Sequence, residues 1–260
     1  MDSVKREGTQ TLARAMALLR ELAARGHFGW SLGDLADRCG LDKGTAHRLL
    51  AHLKHERMVQ QRLGDRRYVA GPMLFELGLG VTDHAAFVTA AGAPLARVAK
   101  RLGCISFLLL RSDSDFVCAA RAGAYPVKSL SIEVGTRRAL VTSAGGVAIL
   151  IAMSGAEGRA IVARDMGIVT RAGGLPPAAL QRILRHSRRL GFGINEGNLI
   201  PGWNAYALAV RNSGGAPIAS LMIAGDAAHF ALTTEGLLEA LRAEVTVLER
   251  DAARLLPASS

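Results

Sequence analysis

The residues of this chain with the clearest chemical potential lie between Lys43 and Glu56. Ala46, Leu49, Leu50 and Leu53 recur there at i, i+3, i+4 and i+7, the spacing of a helix with one apolar face. At about 100° per residue, Gly44, Arg48, Ala51 and His55 lie opposite that face, with Thr45, His47 and His52 on its flanks. Small outward residues let such a helix sink into the major groove of double-stranded DNA. From there Arg48 can bond guanine or phosphate, and Thr45 a phosphate or a base edge. Lys43 and Gly44, at the start of the helix, belong to the same DNA-facing set. The three histidines are read as solvated or phosphate-facing and not as metal ligands, because His47 and His55 fall on different faces and no cysteine pair accompanies them. A second basic cluster, Arg62, Arg66 and Arg67, surrounds Leu63-Gly64-Asp65.

Catalytic chemistry has no comparable signal. The chain contains no Gly-x-Ser-x-Gly elbow, no P-loop lysine motif and no HExxH. Gly145-Gly146 lacks the GxGxxG spacing, and no cofactor is expected. Cys39, Cys104 and Cys118 sit at no metal-ligand spacing, and three is a poor number for a disulfide framework, which suits a reduced compartment.

The basic helix needs elements to hold it. Leu12, Ala15, Met16, Leu19, Leu22 and Ala23 follow helical spacing up to Arg25-Gly26. Ser31-Leu32-Gly33-Asp34 resembles a capping box and opens a short helix with Leu32, Leu35 and Ala36 inward. Gly40-Leu41-Asp42 breaks that helix, and Asp42 can cap the next. After the basic helix, Met58–Arg62 and Arg66–Ala70 read as a hairpin around Leu63-Gly64-Asp65. Two short helices across a tight turn, then a basic hairpin, make a winged helix-turn-helix, with Arg62, Arg66 and Arg67 on the wing for phosphate or minor-groove contact.

Composition agrees. The net charge is +10 over 260 residues, and the first 75 carry 13 basic and 8 acidic residues, so positive charge is densest at the N-terminal end. The polar start, Met1 to Thr11, has no signal-peptide core, and the longest apolar stretch, Val147 to Met153, is too short to span a bilayer. A cytoplasmic protein with no membrane partner is expected.

Several stretches resemble the IclR family of bacterial transcription regulators. In the N-terminal part they are Thr11–Ala15, Leu35–Leu50 and Tyr68–Pro72. Further on they are Val134–Leu140, Ser143–Ala148, Gly191–Asn198 with Pro201-Gly202, and Ala219–Gly225. The resemblance runs over nearly the whole chain. It implies a winged helix-turn-helix DNA-binding domain over 8–71, a linker helix over 72–84 and a GAF-like effector-binding domain over 85–257. It also implies a homodimer, or a tetramer, reading a palindromic operator. Met73, Leu74, Leu77 and Val81 would form the apolar stripe of the linker, weakened by Gly78 and Gly80.

Beyond residue 85, strands alternate with helices. Helices are expected near 85–102, 142–153, 156–165, 177–190 and 234–256. Strands are expected near 104–111, 116–121, 127–133, 191–195, 204–210 and 216–224. This pattern predicts an α+β domain with a largely antiparallel sheet. The resemblance implies an effector pocket there, lined by Val127, Leu130, Arg138, Ala144 and Gly145, with Asn195, Ala205, Met222 and Ala224 completing it. Family members that sense small keto acids have polar residues at several lining positions. Met222, Ala205 and Ala224 make this pocket less polar, which favours an aromatic or longer aliphatic acid. Its carboxylate would sit at the helix start around Ala144–Gly146 or near Arg137, and Trp203 and Tyr206 would either flank it or belong to the core. The small residues at 144–146 equally suit a helix packed closely on the sheet. Two other readings are an architectural DNA-binding dimer whose C-terminal domain only oligomerises, and an enzyme on a GAF-like fold.

Overall fold

The structure, a computed structural model, describes residues 2–123, 132–171, 176–197, 202–230 and 234–256. The chain divides into two units: Met1–Thr82 with Gly135–Arg137, and Asp83–Val134 with Arg138–Ser260.

In the first unit, α1 (Asp2–Arg25) buries Leu18, Leu19 and Leu22. They pack with Leu35 of α2 (Leu32–Arg38) and with Leu50 and Leu53 of α3 (Lys43–His55). Val59 and Tyr68 close this core from the hairpin of β1 (Val59–Gln61) and β2 (Tyr68–Ala70), which pair antiparallel with Gln60 opposite Val69. Trp30 adds a bridge to β2, exchanging backbone hydrogen bonds of 2.9 and 2.8 Å with Tyr68. The expected linker helix over 72–84 needs correction. A helix, α4, runs only over Pro72–Gly78, and the next, α5, starts at Thr82. Between them Gly80 N–H donates to Leu77 O and Val81 N–H to Gly78 O, turn bonds that the weak helix formers Gly78 and Gly80 favour.

The second unit is built on a six-stranded sheet in the order β5-β4-β3-β8-β7-β6. Its strands are β3 (Ile105–Ser112), β4 (Asp115–Ala122), β5 (Arg137–Ala139), β6 (Gly193–Glu196), β7 (Trp203–Arg211) and β8 (Pro217–Asp226). The pairs β3–β4, β3–β8, β7–β8 and β6–β7 are antiparallel. The helices are α5 (Thr82–Leu102), α6 (Ala144–Ala152), α7 (Gly155–Arg171), α8 (Pro177–Leu190), the short α9 (Ala227–Phe230) and α10 (Thr234–Leu255). A winged helix-turn-helix followed by an α+β unit with a largely antiparallel sheet is the architecture the sequence implies. The expected strand over 127–133 falls mostly outside the described residues, and Ile132 and Glu133 are not in a strand. A strand at Arg137–Ala139 was not expected.

Side chains alternate between two cores, as strand geometry requires. Ile105, Phe107 and Leu109 of β3 and Met222 and Ala224 of β8 join residues of α6 and α8 on one face. Leu108, Leu221, Ile223 and Tyr206 join Phe87, Leu95 and Val98 of α5 and Leu241, Val245 and Leu248 of α10 on the other.

Candidate nucleic-acid interface and effector face

The reading helix is set at both ends of the preceding turn. The Ser31 hydroxyl accepts from Asp34 N–H at 3.1 Å and starts α2. Gly40, at φ +63°, reverses the chain in the left-handed region that suits glycine. Leu41 N–H then returns to Ala36 O at 2.9 Å. Asp42 Oδ1 accepts from Thr45 N–H at 2.8 Å and caps α3. Those bonds from Thr45 hold the Asp42 carboxyl below its usual range.

With Ala46, Leu50 and Leu53 buried, α3 turns Lys43, Gly44, His47, Arg48, Ala51 and His52 to the surface, and Thr45 is half-buried. Arg48 Nη2 lies 3.5 Å from Thr45 Oγ1. The residues read as DNA-facing on this helix therefore share one exposed side.

The three wing arginines divide in a way the sequence did not reveal. Arg62 donates to His27 O at 2.7 Å and Phe28 O at 3.1 Å, and pairs with Asp65 at 2.5 Å. Arg67 donates to Gly29 O at 3.2 Å and lies 3.7 Å from the Asp65 carboxylate. Both brace the hairpin against the segment before α2. Arg66 is exposed, and among the described residues its guanidinium makes no hydrogen bond or ion pair.

In the second unit, strand register decides which predicted effector residues meet. Asn195 is opposite Ala205, and Ala205 is opposite Ala224, which pairs with Ile105. The adjacent row on the same face runs Gly193, Ala207, Met222, Phe107. Asn195, Ala205, Ala224 and Met222 are thus neighbours on the face that α6 covers. Asn195 is only 8% exposed, and its Oδ1 is buried with no hydrogen-bond partner among the described residues. Ser220, further along the same face of β8, has a buried Oγ that also lacks a partner among the described residues.

The small residues of α6 are explained by contact. A Cβ on Gly145 would lie 2.5 Å from Leu109 Cδ1, and one on Gly146 would lie 2.0 Å from Leu140 O. On β6, a Cβ at Gly193 would lie 2.0 Å from Ala144 O. Of the two readings of 144–146, close packing on the sheet accounts for the glycines. Ser143 caps the helix, its Oγ accepting from Gly146 N–H at 2.9 Å. Arg138 lies half-buried in the edge strand β5, and burial holds its guanidinium below the ordinary arginine range. Tyr206 belongs to the opposite core, whereas Trp203 packs on the α6 side. Val127 and Leu130 lie outside the described residues. A separate open cleft of ≈ 170 Å³ runs between α8 and β6, lined by Ala179, Arg182, Ile183, His186, Ile194 and Glu196.

Burial pushes the Cys104 and Cys118 thiols up to about 12, so neither is a nucleophile at neutral pH. Among the described residues no group of three His, Cys, Asp or Glu could hold a metal ion. No helix there is long and apolar enough to cross a membrane.

A capped recognition helix with a basic wing, joined to an α+β unit, defines a DNA-binding regulator of the winged-helix class. Two family models match in the corresponding order: the IclR helix-turn-helix domain over residues 11–63 and the bacterial transcriptional regulator IclR C-terminal domain over 79–250. The chain belongs to the IclR family of DNA-binding transcription regulators. It is 43% identical over 74 residues to the glycerol operon regulatory protein of Streptomyces griseus, a match that spans 28% of this chain and 29% of that protein. It is 23% identical to the HTH-type transcriptional repressor AllR of Escherichia coli K12 over 86% of this chain and 83% of that one. Among solved structures, it is similar to an IclR transcriptional regulator from Alicyclobacillus acidocaldarius (23% identity, TM-score 0.70, covering 94% of this chain and 98% of that one). A similar fold occurs in an IclR homologue from Microbacterium hydrocarbonoxydans complexed with 4-hydroxybenzoate (21% identity, TM-score 0.70, covering 94% and 99%).

Proposed function

We propose that this regulator is a cytoplasmic homodimer, or a tetramer of two such dimers, whose affinity for a palindromic operator is set by a small aromatic or aliphatic acid. The domains would be 8–71 for DNA, 72–84 as linker and 85–257 for the effector. Lys43, Gly44, Thr45, His47, Arg48 and His52 read the major groove, and Arg66 meets a phosphate from the wing. Arg62 and Arg67 act through the shape of the wing. The effector lies on the α6 face of the sheet, with its apolar body against Ala205, Met222 and Ala224. The observation that carries this is the convergence of those three with Asn195, whose buried oxygen lacks a donor among the described residues. A hydroxyl or protonated group on the ligand would satisfy it. The 4-hydroxybenzoate bound by a structural relative supports an aromatic acid.

A second copy is supported by apolar side chains left exposed in the first unit: Leu12 and Met16 on α1, and Phe75, Leu77, Leu79 and Val81 around α4. Sedimentation of the Phe75→Ser/Leu79→Ser variant would then register monomer where the parent registers dimer.

The ligand reading is tested by thermal shift with a panel of aromatic and aliphatic acids, followed by gel shift. An effector at a hundred times its Kd should add about 2.7 kcal/mol of stability and change DNA affinity. Ala205→Phe, which fills the face, should abolish both responses. A chain that binds DNA but is stabilised by no acid would instead be an architectural dimer.

A further inference from the structure

The second unit holds 18 basic and 13 acidic residues, and four of the 18 are arginines of α8, a 14-residue helix with no acidic residue. Without that helix the unit is close to neutral. The excess charge is also cleanly sorted. Ala179, Leu180, Ile183, Leu184 and Ser187 are buried, while Arg182, Arg185, Arg188 and Arg189 are exposed. At about 100° per residue, the four arginines cover roughly a third of the helix circumference. Along the axis they span about 10 Å, at about 1.5 Å per residue.

Five arginines elsewhere in the unit have carboxylate partners, whereas Arg101, Arg159, Arg242 and Arg250 have none among the described residues and are not gathered on one helix face as the four of α8 are. Arg97 pairs with Glu244, Arg111 with Glu157, Arg121 with Glu133, Arg164 with Asp165 and Arg254 with Asp251. Among the described residues, no α8 arginine pairs with a carboxylate; Arg189 instead lies 3.0 Å from His186 Nδ1. Cations in the last turn, Arg188 and Arg189, complement the helix dipole. That accounts for two of the four. Arg182 and Arg185 sit mid-helix, where like charges three and four apart repel.

We propose that this face of α8 is a second DNA contact, which takes the phosphate backbone of duplex flanking the operator. The inference rests on the DNA-binding activity of the family and is independent of the effector. The guanidinium fork matches phosphate oxygens. An axial span of about 10 Å faces about three successive phosphates of one strand. A protein partner would need an aromatic or aliphatic anchor within the patch. The exposed face of α8 supplies only Leu190, at its end and 39% exposed. The covalent link to the reading head also keeps flanking duplex at high effective concentration once the operator is bound.

The test uses the full chain and mixed-sequence duplexes roughly two and roughly six helical turns long, with affinity followed by anisotropy across a salt series. The variant Arg182→Gln/Arg185→Gln/Arg188→Gln/Arg189→Gln should lower the slope of log K against log salt by about 2 to 3 on the long duplex and leave the short one unchanged. Arg48→Ala should weaken both, so failure of the reading head is distinguishable from failure of this contact. Thermal melting checks that each variant is folded. If the fourfold variant melts early, Arg182→Gln/Arg185→Gln keeps the last-turn arginines and should lose about half of that slope change. An unaltered slope on the long duplex in a folded variant overturns the proposal, including the case where only binding to an acidic protein is lost.

Discussion

Replacing Arg62 by alanine should loosen the wing, whereas replacing Arg66 should remove a DNA contact. Arg62 bonds two backbone carbonyls, His27 O and Phe28 O, and one carboxylate, Asp65. Its side chain is 40% exposed, so solvent screens the ion pair and that part counts for little. The two carbonyl bonds contribute about 1 to 2 kcal/mol together. In a unit of this size such a loss lowers the melting temperature by on the order of 5 to 10 °C. The two tryptophans fall one in each unit, Trp30 and Trp203, so a Trp203→Phe background lets fluorescence follow the first unit alone. Arg62→Ala should melt early in that assay. Arg66→Ala should melt with the parent, yet lower the salt slope of DNA binding by about 1. An Arg62→Ala protein that melts normally and loses the same slope as Arg66→Ala would refute the distinction.

Gly146→Ala drives a Cβ into a backbone carbonyl, so it should destabilise by more than Gly145→Ala, whose neighbours are side chains that can turn. Urea denaturation should give about 1 to 3 kcal/mol for Gly145→Ala and a larger loss for Gly146→Ala; equal, small losses would mean α6 is not pressed on the sheet. Thiol labelling of the native protein at mildly alkaline pH, read by mass spectrometry, should modify Cys39 and spare Cys104 and Cys118 until global unfolding. Prompt reaction at either buried thiol would contradict their burial. The Asp42 carboxyl is held below its ordinary value of 3.8, chiefly by Thr45 N–H. Its contribution to stability is therefore present above that value and lost as pH falls through the lowered folded-state pKa. Asp42→Asn should keep the cap and flatten this acid limb in a circular-dichroism titration, and an unchanged limb would assign it to other groups.

Local pattern made much of the first unit legible. The i, i+3, i+4, i+7 stripe correctly assigned Ala46, Leu50 and Leu53 to the core and left Gly44, His47 and Arg48 outward. Helix α8 begins and ends where expected, because Pro177 opens it and Gly191, at φ +79°, stops it. The wing was harder. Arg62, Arg66 and Arg67 look alike in a sequence, and only the carbonyls of residues 27–29, far along the chain, separate them. The proposed effector face rests on resemblance, since period-two alternation assigns residues to a face but not to neighbours. That Asn195, Ala205 and Ala224 form one row follows from pairings between distant strands, for which no local signal exists. The glycines of α6 fit two readings in the sequence, and their closeness to Leu109 and Leu140 in the fold decides between them.

The alternation along β8 has a consequence for how such a regulator can change. Leu221 and Ile223 belong to the core under α5 and α10, while Met222 and Ala224 belong to the face under α6. One strand thus serves two cores with alternate residues, and only the even-numbered set lies on the proposed effector face. A substitution at 222 or 224 reshapes the α6 face while its neighbours keep the far core in register. If the α6 face holds the effector as proposed, a change of effector would need substitutions at the even-numbered positions only, without rebuilding the domain. The odd-numbered ones should tolerate far less drift.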